Sequence, residues 1–327
     1  MKIAALAGGI GGARFLRGLL AELDQRGGGD SHEVTVVGNT ADDITLFGLR
    51  VCPDLDTVMY TLGGGIHEEQ GWGRADETFI VRDELVAYDV PPDWFTLGDR
   101  DFATHIVRTQ MLRSGWSLTD VTAALCARWR PGVTLLPMSD DPVETHVVIA
   151  DDDSGTRAVH FQEWWVRLHA ATPAQSFVFL GAEQAKPAPG VVDALMQADV
   201  VLLPPSNPVV SIGAILQVPG IRDALVTTSA PVVGVSPIVG GAPVRGMADA
   251  CLATIGVETS AAAVAAHYGS RLGGGLLDGW LVSEDDGGAP AVPGILQRGR
   301  PLLMTDLAAA AGIAGAAVDL ARDLAAR

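Results

Sequence analysis

Apolar and polar positions fall into short runs cut by glycine and proline. Lys2–Ala7 is an apolar run of strand length that stops at Gly8-Gly9-Ile10-Gly11-Gly12. Ala13–Leu23 follows with Phe15, Leu16, Leu19, Leu20 and Leu23 on one side of a helix, and Glu33–Asn39 returns to strand. Strand, glycine turn, helix, strand is the βαβ opening of a doubly wound sheet. Asp54–Leu62 reads as a helix stopped by Gly63-Gly64-Gly65.

From Glu77 to Trp129 the spacing is helical almost throughout, over Glu77–Tyr88, Asp101–Arg113 and Leu118–Trp129. Ser117 is the expected N-cap of the last, with Asp120 three positions on. Strands are predicted at Thr134–Pro137, Thr145–Ala150, Arg157–Val166 and Phe177–Leu180, with a hairpin turn of solvated acids at Asp151-Asp152-Asp153-Ser154-Gly155. The second half alternates again. Strand Val200–Leu203 leads through Pro204-Pro205-Ser206-Asn207-Pro208 to helix Ile212–Leu216, and strand Val232–Val235 leads through Ser236–Gly241 to helix Met247–Ile255. Gly287–Pro293 reads as a loop and Asp306–Ala325 as an Ala-rich helix. The predicted fold is α/β, a Rossmann-like, doubly wound, mostly parallel sheet. Residues 1–62 and 131–327 form its nucleotide-binding core, and 66–130 a mainly helical inserted subdomain.

Charge narrows the ligands. A net charge of −17 repels polyanions, so nucleic acid and membrane are not expected partners. A phosphate ester could bind only where backbone N–H groups, local Arg or a divalent cation reverse the potential. Cys52, Cys126 and Cys251 form no CxxC pattern, which argues against a disulfide framework or structural zinc. No signal peptide or membrane-length apolar run is seen, so the expected compartment is the cytoplasm.

Four groups of residues could carry chemistry. Gly8, Gly9, Gly11 and Gly12 let backbone approach a phosphate at a helix start, or merely turn the chain. Arg14 stands where the dinucleotide fingerprint needs a third small residue, which argues against an NAD dehydrogenase. Asp42, Asp43, Asp54 and Asp56 follow strand two on neighbouring segments; they could bind Mg²⁺ or act as a general base, and Asp54 or Asp56 could simply cap a helix. In Leu97-Gly98-Asp99-Arg100-Asp101, Asp99 or Asp101 can cap the next helix, and His105 is structural or catalytic with equal force. Polar strand-end turns complete the set: Pro137–Pro142 reads a base edge or turns the chain, and Ser206, Asn207 and Ser236 suit sugar or phosphate hydrogen bonds or ordinary turns.

Taken in order, several segments resemble the CofD/FbiA family of 2-phospho-L-lactate or phosphoenolpyruvate transferases. They are Gly8–Arg14, Asn39–Asp43, Cys52–Thr57, Leu97–Asp101, His160-Phe161-Gln162-Glu163-Trp164-Trp165, Pro205–Pro208 and Ser236-Pro237-Ile238. His160–Trp165 and Arg245-Gly246-Met247-Ala248-Asp249 look most like the actinobacterial branch. The resemblance implies a guanosine diphosphate donor carrying a three-carbon acid, and a deazaflavin acceptor, Fo. The acceptor's ribityl hydroxyl attacks the β-phosphate with Mg²⁺ assistance and GMP leaves. It also implies a homodimer, and an insertion 66–130 near the acceptor. Carried onto this chain, Asp56 and Thr96 contact the acceptor, and Asp43 and Asp56 are catalytic. Asp42, Asp43 and Asp54 are the metal candidates, while Gly9, Gly11, Gly12, Ser206, Asn207 and Ser236 hold the nucleotide. Ile44-Thr45-Leu46 before Phe47, and Thr96 before Leu97-Gly98, depart from the pattern of many relatives. The second reading is a nucleotide-sugar-binding regulatory protein of the related YvcK type.

Overall fold

The structure is a computed structural model that describes residues 1–27, 32–151, 155–286 and 291–327. The chain opens with β1 (Lys2–Ala7), α1 (Gly9–Arg26) and β2 (Glu33–Gly38). A small hairpin, β3 (Ile44–Leu46) and β4 (Leu49–Val51), leads into α2 (Pro53–Leu62). Three helices follow: α3 (Ile80–Ala87), α4 (Asp99–Arg113) and α5 (Leu118–Trp129). Next come β5 (Thr134–Pro137), β6 (Glu144–Asp151), β7 (Gly155–His160) and β8 (Ala174–Leu180). The second half runs α6 (Val191–Met196), β9 (Val200–Leu203), α7 (Ile212–Ile215), α8 (Ile221–Thr227) and β10 (Val232–Val235). It continues with the short hairpin β11 (Ile238–Val239) and β12 (Ala242–Pro243), then α9 (Ala248–Thr254) and α10 (Ala261–Tyr268). β13 (Gly279–Ser283), β14 (Leu296–Arg300) and α11 (Leu307–Ala325) close it.

Seven strands form one sheet in the order β14-β13-β10-β9-β1-β2-β5, every neighbouring pair parallel. A second sheet, β7-β6-β8, is antiparallel. In β1, Ile3, Ala5 and Ala7 join the core under α1, α2 and α11, while Ala4 and Leu6 face the opposite core. Both faces are covered, which is why the strand is a continuous apolar run rather than an alternating one. The doubly wound α/β sheet predicted from the alternation is the observed fold. No described helix is long and apolar enough to cross a membrane.

Strand order reverses between β1 and β9. The chain first moves outward through β2 and β5, then returns to the other side of β1. Loops at the carboxyl ends of strands flanking such a reversal diverge and leave a crevice. Four loops meet around it: Gly8 after β1, Asn39–Asp43 after β2, Pro204–Pro208 after β9, and Ser236 after β10.

Several local expectations are corrected. The glycine run is not a loop ahead of the helix: α1 begins at Gly9, with φ +65° there, and Gly11 and Gly12 lie in its first turn. β7 ends at His160, and Glu163–Arg167 forms one wide helical turn instead of continuing the strand. That turn buries Trp164, whose indole N–H reaches Thr172 O at 2.8 Å. The hairpin pairing of β6 with β7 is present, but Asp152–Ser154 at its tip, like residues 287–290 of the second predicted loop, lie outside the described residues. β13, which lies between β10 and β14, and the edge strand β14 are not predicted by the sequence pattern.

Candidate active site

The aspartates after β2 and at the start of α2 interleave. Asp42 follows β2 and Asp54 sits in the first turn of α2, and their charges act on each other. The charge of Asp56 acts on Asp43 as well, as the smallest of several influences there. Each two-aspartate motif thus sends one carboxylate to each of two pairs. All four side chains are buried.

The Asp42–Asp54 pair is held by neutral donors. Asp54 Oδ1 accepts the Gly9 N–H at 2.8 Å and Oδ2 accepts Asn39 Nδ2 at 2.9 Å. Asn39 also receives the Ala41 N–H on its Oδ1 at 3.0 Å, which shapes the loop. Asp54 therefore occupies the positive end of α1. Burial pushes its carboxyl up to about 6 against those two hydrogen bonds. Asp42 is raised well above the ordinary carboxylate range by burial and then by the charge of Asp54, and its Oδ1 has no hydrogen-bond partner among the described residues.

Guanidinium groups serve the Asp43–Asp56 pair. Arg108, from α4, is fully buried and hydrogen-bonds Asp56 Oδ1. Burial pulls the Arg108 guanidinium down, yet the Asp56 charge and hydrogen bond outweigh it and keep the group charged. Arg108 Nη1 lies 3.0 Å from His105 Nδ1, which makes that nitrogen the acceptor, and His105 Nε2 faces Asp101 Oδ2 at 3.5 Å. Asp101 Oδ1 also accepts a hydrogen bond from the Tyr60 hydroxyl at 2.7 Å. His105 is thus a buried link between two acids. Asp43 has Arg50 at 3.5 Å, but neither of its oxygens has a hydrogen-bond partner among the described residues. Burial pushes Asp43 up to about 7, with Arg50 and Arg108 pulling the other way.

The second sheet clamps the Asp42–Asp43 loop from behind. Thr145 N–H, on β6, donates to Ala41 O at 2.6 Å. Gln162 Nε2 donates to Asp42 O at 3.3 Å. Gln162 N–H in turn donates to His160 Nδ1 at 3.1 Å, so the imidazole proton sits on Nε2 and points to Asp43 O at 3.3 Å. His160 and Gln162 belong to a motif that sequence reading had quoted without giving it a task. Arg108, Arg50 and Tyr60 were missed. The only local signal for Arg108 is its place three residues after His105, on the same face of α4.

Other sequence candidates turn out to hold the loops together. Ser206 Oγ donates to Gly8 O at 2.8 Å and accepts the Gly8 N–H at 3.3 Å. A Cβ on Gly11 would collide with Pro205 O, and one on Gly12 would come 2.7 Å from Ser206 Oγ, so these glycines let α1 press against the β9 loop. Asn207 Oδ1 accepts Val209 and Val210 N–H groups, and Ser236 Oγ bridges to Ile238. In the Pro137–Pro142 turn, Asp140 takes Thr119 N–H and hydroxyl, and Asp141 takes Lys186 N–H. These bonds fix the turn through one oxygen of each carboxylate. Asp99 caps α3, not the helix it begins, by accepting Ile80 and Val81 N–H groups. Glu77 returns the favour, accepting Arg100 and Asp101 N–H groups at the start of α4. Thr96 lies half-buried in the segment leading into α4.

Comparison with known proteins adds a family. The family model described as "2-phospho-L-lactate transferase CofD" matches residues 3–297. Among curated proteins, a phosphoenolpyruvate transferase of Thermobifida fusca is 67% identical over 99% of both chains. One from Kitasatospora aureofaciens is 64% identical, again over 99% of both, and one from a Mycobacterium species 57% over 98% of this chain and 99% of its own. A solved UPF0052-family protein of Bacillus halodurans shares the fold at a TM-score of 0.60 and 16% identity, covering 97% of this chain and 99% of its own.

Proposed function

The chain belongs to the CofD family, and from that membership we propose that it is the transferase of F-420 biosynthesis that moves a phosphoenolpyruvyl group from a guanosine diphosphate derivative to the ribityl hydroxyl of the deazaflavin Fo. The observation that carries this reading is the pair of carboxylate pairs buried at the strand-order reversal. Relatives named phosphoenolpyruvate transferase, matched over nearly the full length, favour it over the regulatory alternative.

Phosphoryl transfer asks a protein mainly for positioning and charge neutralisation. In this reading Asp43 Oδ takes the proton of the ribityl hydroxyl. It is suited by two oxygens that have no hydrogen-bond donor among the described residues. The hydroxyl oxygen forms a bond to the β-phosphorus, the bond from that phosphorus to the bridging oxygen breaks, and GMP leaves. Asp56, immobilised by Arg108, positions the acceptor hydroxyl through Oδ2, which has no hydrogen-bond partner among the described residues, and Thr96 contributes at the edge of the acceptor site. The nucleotide lies over the start of α1, between the loops that Ser206, Asn207 and Ser236 shape.

Mg²⁺ belongs to the same reading. Asp42 and Asp54 fit it: both offer only oxygen ligands, both are buried, and Asp42 Oδ1 has no hydrogen-bond partner among the described residues. Among the described residues no group of three acidic, His or Cys side chains gathers to hold a metal. That suits an ion bound by one or two carboxylates plus water and substrate phosphate. When bound, Mg²⁺ would neutralise charge on the diphosphate. A cytoplasmic homodimer completes the proposal, and Ile80, Val86 and Tyr88, exposed around α3, offer apolar surface for the second copy.

The test is incubation with Fo, Mg²⁺ and guanosine diphosphate donors bearing phosphoenolpyruvate, lactate or phosphoglycerate, with product mass spectrometry. The expected result is GMP release matched by dehydro-F-420-0 from the first donor. No heavier deazaflavin with any donor would overturn the reading, and turnover of the lactyl donor alone would correct the acid.

A further inference from the structure

Arg14 and Arg245 stand outside both aspartate pairs. Arg14 ends the glycine run and Arg245 opens Arg245–Asp249. The fold brings both to the segment Glu68–Gly71, which lies across the start of α1. Arg14 Nη2 donates to Glu68 O at 3.3 Å, and Arg245 Nη2 donates to Gln70 O. Ile10, Arg14 and Arg17 share one face of α1. Gly71 rests so near that face that an added Cβ would stand 2.8 Å from Ile10 Cγ2 and 3.3 Å from Arg245 Nη1.

Charge here runs against the rest of the molecule. The nearby carboxylate, Glu68, is engaged by Arg17 at 2.6 Å. Among the described residues, Arg14 and Arg245 are hooked to carbonyl oxygens and neither forms an ion pair. Burial and then the neighbouring charges of Arg245 and Arg17 hold the Arg14 guanidinium below its ordinary value. In a chain of net charge −17, like charges gathered beside a helix start are an exception to be explained.

The glycine turn also has less to give an anion than its sequence implies. The Gly8 N–H is taken by Ser206 and the Gly9 N–H by Asp54. A diphosphate arriving there finds two of the turn's amides already engaged, and side-chain donors would make up for them. We propose that Arg14 and Arg245 form an oxyanion subsite that grips the donor, by its phosphate or its three-carbon carboxylate, beside the start of α1. Each carbonyl hook fixes one edge of a guanidinium and leaves other N–H groups for the oxyanion. The subsite rests on the transferase reading above.

Calorimetric titration of GDP and of the phosphoenolpyruvate-derived donor into wild type, Arg14→Gln and Arg245→Gln tests it, with thermal melts as the check on folding. Arg245 is exposed, so its variant keeps the fold even if Arg14→Gln does not. Donor affinity is expected to fall about tenfold to a hundredfold, the range for a hydrogen bond to a charged group. Loss of both GDP and donor affinity assigns the arginines to phosphate. Loss of donor affinity with GDP unchanged assigns them to the carboxylate. Wild-type affinities in folded Arg245→Gln for both ligands overturn the subsite while leaving the transferase reading intact. A wild type that binds neither ligand overturns that reading and the subsite with it.

Discussion

The two aspartate pairs are built from the same two segments, yet they solve the burial of charge in opposite ways. Asp42 and Asp54 receive only neutral donors, from Gly9 and Asn39, and no guanidinium or ammonium group forms an ion pair with them among the described residues. Asp43 and Asp56 face Arg50 and Arg108, the latter wholly enclosed. An uncompensated carboxylate pair is costly in a low-dielectric site and becomes favourable when a cation arrives. A pair already matched by guanidinium needs no metal and can instead hold a fixed geometry. Adjacent residues in one motif thus sit in different electrostatic surroundings, because the neighbours brought by other elements differ.

That contrast can be broken most sharply at Asp43. Asp43→Asn should lower kcat by about 10²–10⁴-fold, the contribution of a general base, with the circular-dichroism spectrum unchanged. Activity within twofold of wild type would move proton transfer to another group. Next in size is Arg108. Replacing it with Met leaves Asp56 buried without its counter-charge and should destabilise the fold by about 3–5 kcal/mol in urea titration. A smaller loss would mean that His105 or solvent compensates the carboxylate.

The neutral-donor pair is tested through its cation. Wild type should melt at higher temperature with Mg²⁺ and GDP than with GDP alone, because a ligand that binds only the folded state stabilises it. Asp42→Asn should lose that increment while melting no lower than wild type without Mg²⁺, since it removes one of two repelling charges. An undiminished increment would place the ion elsewhere. The smallest effect belongs to the clamp behind the loop. Gln162→Leu removes one hydrogen bond to Asp42 O and should cost about 0.5–1.5 kcal/mol of stability. His160→Gln should do more to kcat than to KM for the donor, since His160 holds the backbone of Asp43. Equal changes in both would reduce the clamp to a structural part.

Much of this architecture is legible in the chain itself. Burial on both faces gives β1, β9 and β10 unbroken apolar runs, and helices α2, α5 and α11 carry periodic spacing with caps at Ser117 and Asp306. Those signals are local, being set by side-chain geometry within a few residues. β14, a half-buried edge strand reading Leu-Gln-Arg-Gly-Arg, has no such alternation and escaped. The wide turn at Glu163–Arg167 escaped for a related reason: its β-branched and aromatic residues favour strand, and only the burial of Trp164 overrides that preference.

The order of motifs along the chain was enough to place it in a family and to put four aspartates, the glycine run and the serine-bearing loops at one edge of a sheet. It could not pair Asp56 with Arg108, 52 residues away, or aim His160 at a loop 117 residues earlier. Nor could it show that Asp54 already occupies the first amide of α1. Local periodicity is written in neighbouring residues. The partner that decides whether a buried carboxylate carries a counter-charge arrives from a distant element, and only the packed fold chooses it.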